Sequence, residues 1–295
     1  MNRRTFLSAA AAAPIITQLA TAHTQVISVA QTAAEPHPAR PVLGRLKQSV
    51  CRWCFGSMKL ADLAAAAKGM GIQSIELLSP DEWETVQQAG LTCAVATFVP
   101  SNPIARGFNR VEHHDSLVKE LEARLPLVKA AGIPNQIVFS GNRDGMDDKQ
   151  GLSNCAAGLK RLMPLAEQLG VTVIMELLNS RVDHKDYMCD RTAWGVELVN
   201  KVASPRFKLL YDIYHMQIME GDVIRTITDN IGSIGHFHTA GVPGRREIDV
   251  SQELNYPAIC RAIVEKGFTG YLGQEFMPSR DPLTSLREAV AICDV

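Results

Sequence analysis

The chain has 295 residues, with 30 basic and 31 acidic side chains, a formal net charge of -1 and a hydrophobic content of 46%. This size and hydrophobicity allow a large buried core, as either one α/β barrel of about 250 residues or two smaller domains. A balanced charge without a basic, aromatic-rich stripe argues against a nucleic-acid partner, and no apolar run reaches the roughly 18 residues of a membrane span.

The N-terminus has the features of an export signal. Residues 2–7, Asn-Arg-Arg-Thr-Phe-Leu, resemble the twin-arginine pattern, an alanine-rich stretch follows, and Ala-Thr-Ala at residues 20–22 is a small-x-small cleavage site. The alternative is a chance arginine pair before an amphipathic helix. We predict a twin-arginine signal over residues 1–22, a proline-broken linker over residues 23–47, and a periplasmic location.

The seven cysteines are too few, and odd in number, for a disulfide scaffold in a chain of this length. Cys51 and Cys54 have CxxC spacing, but they lie in an apolar segment without a second CxxC or a histidine pair. We therefore interpret them as buried strand thiols rather than as a redox or zinc motif.

From residue 48 onward, strand-like and helix-like segments alternate. The first half predicts strands over residues 48–55, 73–78, 91–98 and 136–140, with helices over residues 59–69, 80–89, 111–131 and 147–169. The second half predicts strands over residues 171–176, 207–212, 232–238 and 270–275, with helices near residues 192–202, 222–230, 256–266 and 283–292. Eight such units predict an α/β fold, a single (β/α)8 TIM barrel over residues 48–295, more readily than an open sheet. A dinucleotide fold is disfavoured because no GxGxxG follows the first strand.

Four consecutive strands of the second half end in a residue that can bind a metal: Glu176, Asp212, His238 and Glu275. In a TIM barrel the carboxyl ends of the strands form the active-site face, so we expect these side chains to converge. Any one of these residues alone could be a strand-end polar group or a helix cap, but four on consecutive strands indicate a shared site. Three carboxylates and an imidazole suit Mn²⁺ or Mg²⁺, with Co²⁺ tolerated, better than a thiol-preferring metal.

Such a centre predicts proton-transfer chemistry. Four protein ligands in an octahedron leave room for two oxygens of a 2-hydroxy carbonyl compound, whose C–H bond a Lewis acid would acidify. Loss of that proton gives a cis-enediolate. Glu176 and Glu275 are the predicted catalytic pair, because two carboxylates on opposite sides of a substrate could remove and return protons.

Other residues are candidates for supporting roles. His215 is expected in the loop after the sixth strand, where it could donate to a substrate oxygen or serve a capping or structural role. Arg245, in a glycine-rich turn, could bind a carboxylate, a hydroxyl or a phosphate. Glu76 ends the second strand, either at the pocket edge or in a structural ion pair or hydrogen bond. Trp53 and Phe98 are expected to shape the pocket.

The second half of the chain contains several distinctive segments: Glu-Leu-Leu-Asn-Ser-Arg at residues 176–181, Asp-Ile-Tyr-His-Met-Gln at residues 212–217, Ala-Gly-Val-Pro-Gly-Arg at residues 240–245, Asn-Tyr-Pro at residues 255–257 and Gly-Gln-Glu-Phe at residues 273–276. Through these segments, the chain from about residue 49 to the C-terminus resembles the xylose isomerase-like barrel superfamily, and within it the hydroxypyruvate isomerase family and the related ketose 3-epimerases.

The resemblance implies metal ligation by the four strand-end residues Glu176, Asp212, His238 and Glu275. It also implies that Glu176 and Glu275 form the acid/base pair and that His215 and Arg245 contact the substrate. The chain departs from hydroxypyruvate isomerases at one position, where they carry Gln and it has His238, as the 3-epimerases do.

We predict a metal-dependent isomerase that interconverts a small 2-hydroxy aldehyde/ketone pair such as hydroxypyruvate and tartronate semialdehyde through a cis-enediolate. The alternative is a ketose 3-epimerase or another keto-sugar isomerase of exported carbohydrate metabolism. The expected partner is a small keto acid or keto-sugar, with no nucleic acid and no membrane span; a homo-oligomer is left open. An abasic-site endonuclease of the same superfamily would need more clustered histidines and a phosphate-attracting surface. A sugar-binding protein would need no proton-transfer pair.

Overall fold

The computed structural model describes residues 43–97 and 104–295. The predicted signal, most of the predicted linker and Phe98 lie outside these residues. The eight strands are β1 (Lys47–Cys51), β2 (Ser74–Glu76), β3 (Val95–Ala96), β4 (Asn135–Val138), β5 (Thr172–Glu176), β6 (Phe207–Asp212), β7 (Ile234–Thr239) and β8 (Tyr271–Gln274). The α-helices are α1 (Leu60–Gly69), α2 (Trp83–Gln88), α3 (Val111–Ala130), α4 (Asp148–Lys160), α5 (Met163–Leu169), α6 (Thr192–Val202), α7 (Ile213–Met219), α8 (Val223–Asn230), α9 (Tyr256–Glu265) and α10 (Pro282–Cys293).

The strands form one parallel sheet in the order β2-β1-β8-β7-β6-β5-β4-β3. Its two edge strands, β2 and β3, meet through isolated parallel bridges that pair Ser74 with Thr92 and Leu78 with Ala96. The backbone N–H of Leu77 also donates to the carbonyl of Val95 at 2.8 Å. The sheet is therefore a nearly closed barrel, and the predicted (β/α)8 TIM barrel is confirmed.

The strands are buried on both faces because side chains fill the barrel and helices cover its outside. In β5, for example, every residue after Thr172 is buried, which explains its continuous apolar run. The helices contribute apolar stripes: α3 buries Leu117, Leu121, Leu125 and Val128, spaced three or four residues apart. Polar residues that end the strands are thus held at one rim of a rigid wall.

Three predicted elements were wrong in extent. The first strand ends at Cys51, and residues Arg52–Phe55 form a 3-10 helix in which the Arg52 guanidinium donates to the carbonyl of Phe55 at 2.8 Å. The predicted helix over residues 147–169 is two helices, because Pro164 at the start of α5 cannot continue the hydrogen bonds of α4. The third strand spans only Val95–Ala96.

The barrel begins before the predicted end of the linker. Leu46 is buried and Lys47 starts β1, while the backbone N–H groups of Leu43 and Gly44 donate to the Asp294 carboxylate at 2.6 and 2.9 Å.

All seven cysteines lie in the described residues and are buried and free. Within the described ranges, no helix has both the length and the apolar character to cross a membrane.

Candidate active site

The structure brings the four predicted metal ligands together at the carboxyl end of the barrel. Glu176 ends β5, Asp212 ends β6, His238 is the penultimate residue of β7, and Glu275 directly follows β8. Each offers one ligand atom such that all four atoms lie within 4.8 Å of one another, and all four residues are buried. Four adjacent parallel strands thus deliver the predicted cluster.

The donor set fits a divalent cation. Burial raises the pKa of the Asp212 and Glu176 carboxyls, and the negative charge of Glu275 adds to both shifts. Asp212 Oδ1 accepts the backbone N–H of His215 at 3.0 Å, whereas Oδ2 is buried with no hydrogen-bond partner among the described residues. Three close carboxylates favour a positive charge between them, and oxygens with one imidazole nitrogen suit a hard or borderline cation.

The two predicted catalytic glutamates lie in different environments. Burial alone would raise the pKa of Glu275, but the charges of His238 and Arg245 outweigh burial and hold that pKa well below its ordinary value. Arg245 Nη2 lies 2.6 Å from Glu275 Oε2, and the Trp53 indole N–H donates to Oε1 at 2.9 Å. Glu275 is therefore held ionised, while the pKa of Glu176 is raised by its burial.

His238 is oriented by a buried carboxylate behind it. Its Nε2 lies 2.7 Å from Glu76 Oε1, which also pairs with His236 Nε2 at 2.8 Å. The other ring nitrogen of His238, Nδ1, faces Glu176 Oε1 at 3.3 Å and Glu275 Oε2 at 3.1 Å. Glu76 therefore holds the Nε2 side of the ring, so that Nδ1 is directed at the carboxylates of the cluster.

The structure decides the alternatives for Glu76 and adds two residues that sequence reasoning missed. Glu76 is fully buried and lies within hydrogen-bonding distance of two histidines, His236 and His238, and Cys51 Sγ lies 3.6 Å from Glu76 Oε1 and 3.7 Å from His238 Nε2. Residues two apart on a strand share a face, so the His-Phe-His pattern of β7 could have indicated that His236 and His238 point the same way.

His215 was predicted to lie in a loop, but the structure places it on helix α7. The Asp212 side chain accepts the His215 backbone N–H and so caps α7 directly after β6. The imidazole is fully buried, with Nδ1 2.7 Å from Asn179 Nδ2 and Nε2 3.7 Å from Asp212 Oδ2. Burial and the positive charge of Arg245 hold the pKa of His215 well below its ordinary value.

Arg245 is held over the cluster. Its backbone φ is 57°, a left-handed conformation that costs a non-glycine residue energy and often marks functional loops. The guanidinium lies 5.1 Å from the centre of the Trp53 ring and 5.4 Å from that of Tyr214, and it pairs with Glu275. Aromatic contacts and an ion pair therefore fix its position at the site.

A cavity of ≈ 340 Å³ opens above the cluster. Glu176, Glu275, Arg245 and Trp53 are among its lining residues, and Trp53 was predicted to shape the pocket. The remaining lining residues are largely apolar: Leu77, Thr97, Ile104, Ile137, Phe139, Leu178 and His184. The cavity can thus hold a small molecule against both glutamates.

Fold and site together define a TIM-barrel protein with a carboxylate-rich centre at the carboxyl end of its strands. The model of the family described as Xylose isomerase-like TIM barrel matches residues 64–293. The chain belongs to this family, and the predicted membership of the superfamily is confirmed.

Several named relatives are similar to parts or most of the chain. A 2-oxo-tetronate isomerase from Cupriavidus necator is 40% identical over 109 residues, 37% of this chain and 41% of that protein. A 2-oxo-tetronate isomerase from Pectobacterium atrosepticum is 26% identical over 239 residues, 76% of this chain and 88% of that protein. The hydroxypyruvate isomerase of Escherichia coli is 32% identical over 114 residues, 38% of this chain and 44% of that protein. The first and third matches therefore span less than half of the relative.

Solved structures share the fold. An AP endonuclease, family 2, from Brucella melitensis superposes with a TM-score of 0.72 and 24% identity, covering 82% of this chain and 97% of that one. A 3-keto-D-glucoside 4-epimerase from E. coli superposes with a TM-score of 0.69 and 21% identity, covering 83% of this chain and 98% of that one. At these identities the likeness concerns the barrel alone.

Proposed function

We propose that this protein is a metal-dependent isomerase that interconverts a small 2-hydroxy aldehyde and its ketone isomer through a cis-enediolate, with hydroxypyruvate as the leading substrate. One observation carries the proposal: ligand atoms of Glu176, Asp212, His238 and Glu275 lie within 4.8 Å of one another, and the two glutamates line a cavity. The names of relatives support the reaction class, since they are hydroxypyruvate and 2-oxo-tetronate isomerases.

The residues that would hold the metal are Glu176, Asp212, His238 and Glu275. A bound Mn²⁺ or Mg²⁺ would supply Lewis acidity to a substrate carbonyl and stabilise negative charge on its oxygen. Oxygen donors favour these ions, and Co²⁺ is tolerated by the imidazole-containing set.

The side chains of this protein supply the proton transfers. Glu275 is held ionised by Arg245 and Trp53, so its carboxylate can accept a proton from the carbon next to the carbonyl. Glu176, which lines the same cavity, can return a proton to the neighbouring carbon, while the hydroxyl proton of the first carbon moves to the former carbonyl oxygen; the roles exchange in the reverse direction. Arg245 would bind a substrate carboxylate or hydroxyl, and His215 would donate to a substrate oxygen.

A second candidate, a ketose 3-epimerase or related keto-sugar isomerase, is favoured by the cavity. Its volume of ≈ 340 Å³ lies within the range of about 300–1,000 Å³ that accepts drug-sized ligands, and so has room for a chain longer than three carbons. Both candidates share the same glutamate pair: an isomerase returns the proton to the neighbouring carbon, whereas a 3-epimerase returns it to the same carbon from the opposite face.

Turnover by the full chain tests the proposal. After chelator treatment, we expect no conversion of hydroxypyruvate, a four-carbon 2-oxo acid or D-fructose, and recovery of activity on at least one of them with Mn²⁺. The compound that is converted fastest then indicates how many carbons the preferred substrate has. Turnover that persists without any divalent ion, or no turnover of any of the three with metal bound, contradicts the proposal.

We also propose export through the twin-arginine signal over residues 1–22, on the strength of the Arg3-Arg4 pair and the small residues that follow. A full-length chain expressed in a bacterium is then found in the periplasmic fraction, and replacing Arg3 and Arg4 by lysine retains it in the cytoplasm. If the wild-type chain and the double lysine variant are distributed equally between periplasm and cytoplasm, the proposal is contradicted.

A further inference from the structure

We propose that Asn179 is a positioning residue that fixes His215 in one tautomer, with its proton on Nε2, so that the ring presents an N–H donor to the substrate. Asn179 follows β5 by three positions and is fully buried. The role toward substrate rests on the proposed function, whereas the tautomer itself does not.

The orientation of the Asn179 amide is set by the backbone. Its Oδ1 accepts the backbone N–H groups of Val182 at 2.9 Å and Asp183 at 3.0 Å. A flipped amide would place its NH₂ group against two N–H donors, which cannot hydrogen-bond to it. Nδ2 must therefore face the other way, toward Asp183 Oδ2 at 2.5 Å and His215 Nδ1 at 2.7 Å.

This orientation decides the protonation of the His215 ring. An amide NH₂ can only donate, so His215 Nδ1 must accept and carries no proton. Asp183 does not offer an alternative, because its Oδ2 is 3.9 Å from His215 Nδ1 and already accepts from Asn179 and from the Tyr214 hydroxyl at 2.8 Å. The proton of the ring therefore lies on Nε2.

The Nε2–H donor faces Asp212, one of the four residues of the cluster. His215 Nε2 is fully buried, has no hydrogen-bond partner in the part of the chain described, and lies 3.7 Å from the equally unpartnered Oδ2 of Asp212. His184, which lines the cavity, packs edge-on against the His215 ring with centroids 5.3 Å apart. A donor fixed beside the cluster can stabilise negative charge that develops on a substrate oxygen.

The tautomer can be read directly by ¹⁵N NMR of the full chain in the absence of substrate. The chain has eight histidines, and the signals lost in His215→Gln identify this ring. We expect its Nε2 to resonate as a protonated nitrogen and its Nδ1 as an unprotonated one. A protonated Nδ1 in the wild-type protein overturns the proposal whether or not any substrate is turned over.

Substitution of Asn179 tests its positioning role. Because nothing then holds the Nδ1 lone pair, we expect the His215 signals of Asn179→Ala to shift toward a mixture of tautomers. We expect kcat to fall by about 10- to 100-fold, with KM changed less. Removal of a residue that orients a histidine in a metal site typically has an effect of this size. The matched control is Asn135→Ala, since Asn135 is also buried but donates to the Ala94 carbonyl at the opposite end of the barrel.

The two readouts separate the possible failures. Asn135→Ala is expected to lower stability without changing the His215 signals or kcat. If Asn179→Ala leaves the His215 signals unchanged, Asn179 does not set the tautomer. If the signals shift but kcat does not fall, the donor has no role toward substrate. If the wild-type protein turns over no keto compound while its His215 tautomer is as expected, the proposed function fails and the assignment of the tautomer stands.

Discussion

At the scale of single residues, the partner of His238 illustrates what sequence spacing does not reveal. Glu76 precedes His238 by 162 positions, and two strands, β1 and β8, separate β2 from β7 in the sheet. Their contact therefore crosses the barrel interior and depends on the curvature of the sheet. The ligand candidates could be predicted because each ends its own strand, whereas the carboxylate that orients one of them could not.

Removing Glu76 should weaken metal binding. Without its carboxylate, the His238 ring loses the acceptor that orients it, so Glu76→Ala is expected to raise the Kd for Mn²⁺ by about 10- to 100-fold. Glu76→Gln should recover part of the affinity, because its amide oxygen can still accept. Calorimetric titration of the chelator-treated protein measures both, with Glu84→Ala, an exposed acidic residue, as the control. Equal affinities in all variants would show that Glu76 has no such role.

The neighbouring glycine offers an independent test. A Cβ at Gly273 would lie 2.7 Å from Glu76 Oε1 and 3.0 Å from His238 Cδ2. Gly273→Ala should therefore displace the Glu76–His238 pair, weaken Mn²⁺ binding and cost about 1–3 kcal/mol of stability. Gly232→Ala is the matched control, because nothing lies within 4 Å of a Cβ there. Unchanged metal affinity in Gly273→Ala would argue that the pair tolerates displacement.

At the scale of elements, Asp212 explains why α7 was missed. The residue ends a buried strand, belongs to the cluster proposed to hold the metal and caps a helix that starts at the next position. A seven-residue helix that begins without an intervening loop gives little periodicity from which to predict it. Most longer helices were predicted to within a few residues, because their apolar positions recur every three or four residues.

A second connection between elements joins the loops after β7 and β8. Glu247 accepts from the Ser279 backbone N–H and hydroxyl, both at 2.8 Å, and from the Ser285 hydroxyl of α10 at 2.9 Å. Burial works against ionisation of Glu247, but these hydrogen bonds outweigh it and lower its pKa to about 2. The ionised carboxylate therefore stabilises the loop arrangement near the site.

This pKa predicts a pH-dependent stability. Because the folded-state pKa lies below the ordinary Glu value of about 4.3, the contribution is present above that value and is lost as the pH falls toward 2. Glu247→Gln should thus be less stable than wild type by on the order of 2 kcal/mol at pH 7, and the difference should shrink below about pH 4. Urea unfolding of both proteins between pH 7 and 3 measures it. A difference independent of pH would contradict the assignment.

At the scale of the whole molecule, the barrel could be predicted because eight strand–helix units repeat along the chain and polar residues end consecutive strands. The particular contacts that close the barrel between β2 and β3 could not, since they are two isolated bridges beside a strand of only two residues. Contacts of Leu43 and Gly44 with Asp294 likewise join segments that are 251 and 250 positions apart in the sequence. Such contacts leave no local pattern.

The central claim is that Glu176 and Glu275 exchange protons with the carbon next to a carbonyl. The most direct test incubates the full chain with Mn²⁺ in D₂O, with hydroxypyruvate and separately with D-fructose, and follows deuterium incorporation by NMR. We predict Mn²⁺-dependent incorporation at the carbon next to the carbonyl, reduced at least about 100-fold in Glu176→Gln and in Glu275→Gln and unchanged in Glu84→Ala, with bound Mn²⁺ measured in each. No incorporation despite bound Mn²⁺, or incorporation that survives both glutamine substitutions, would contradict the account.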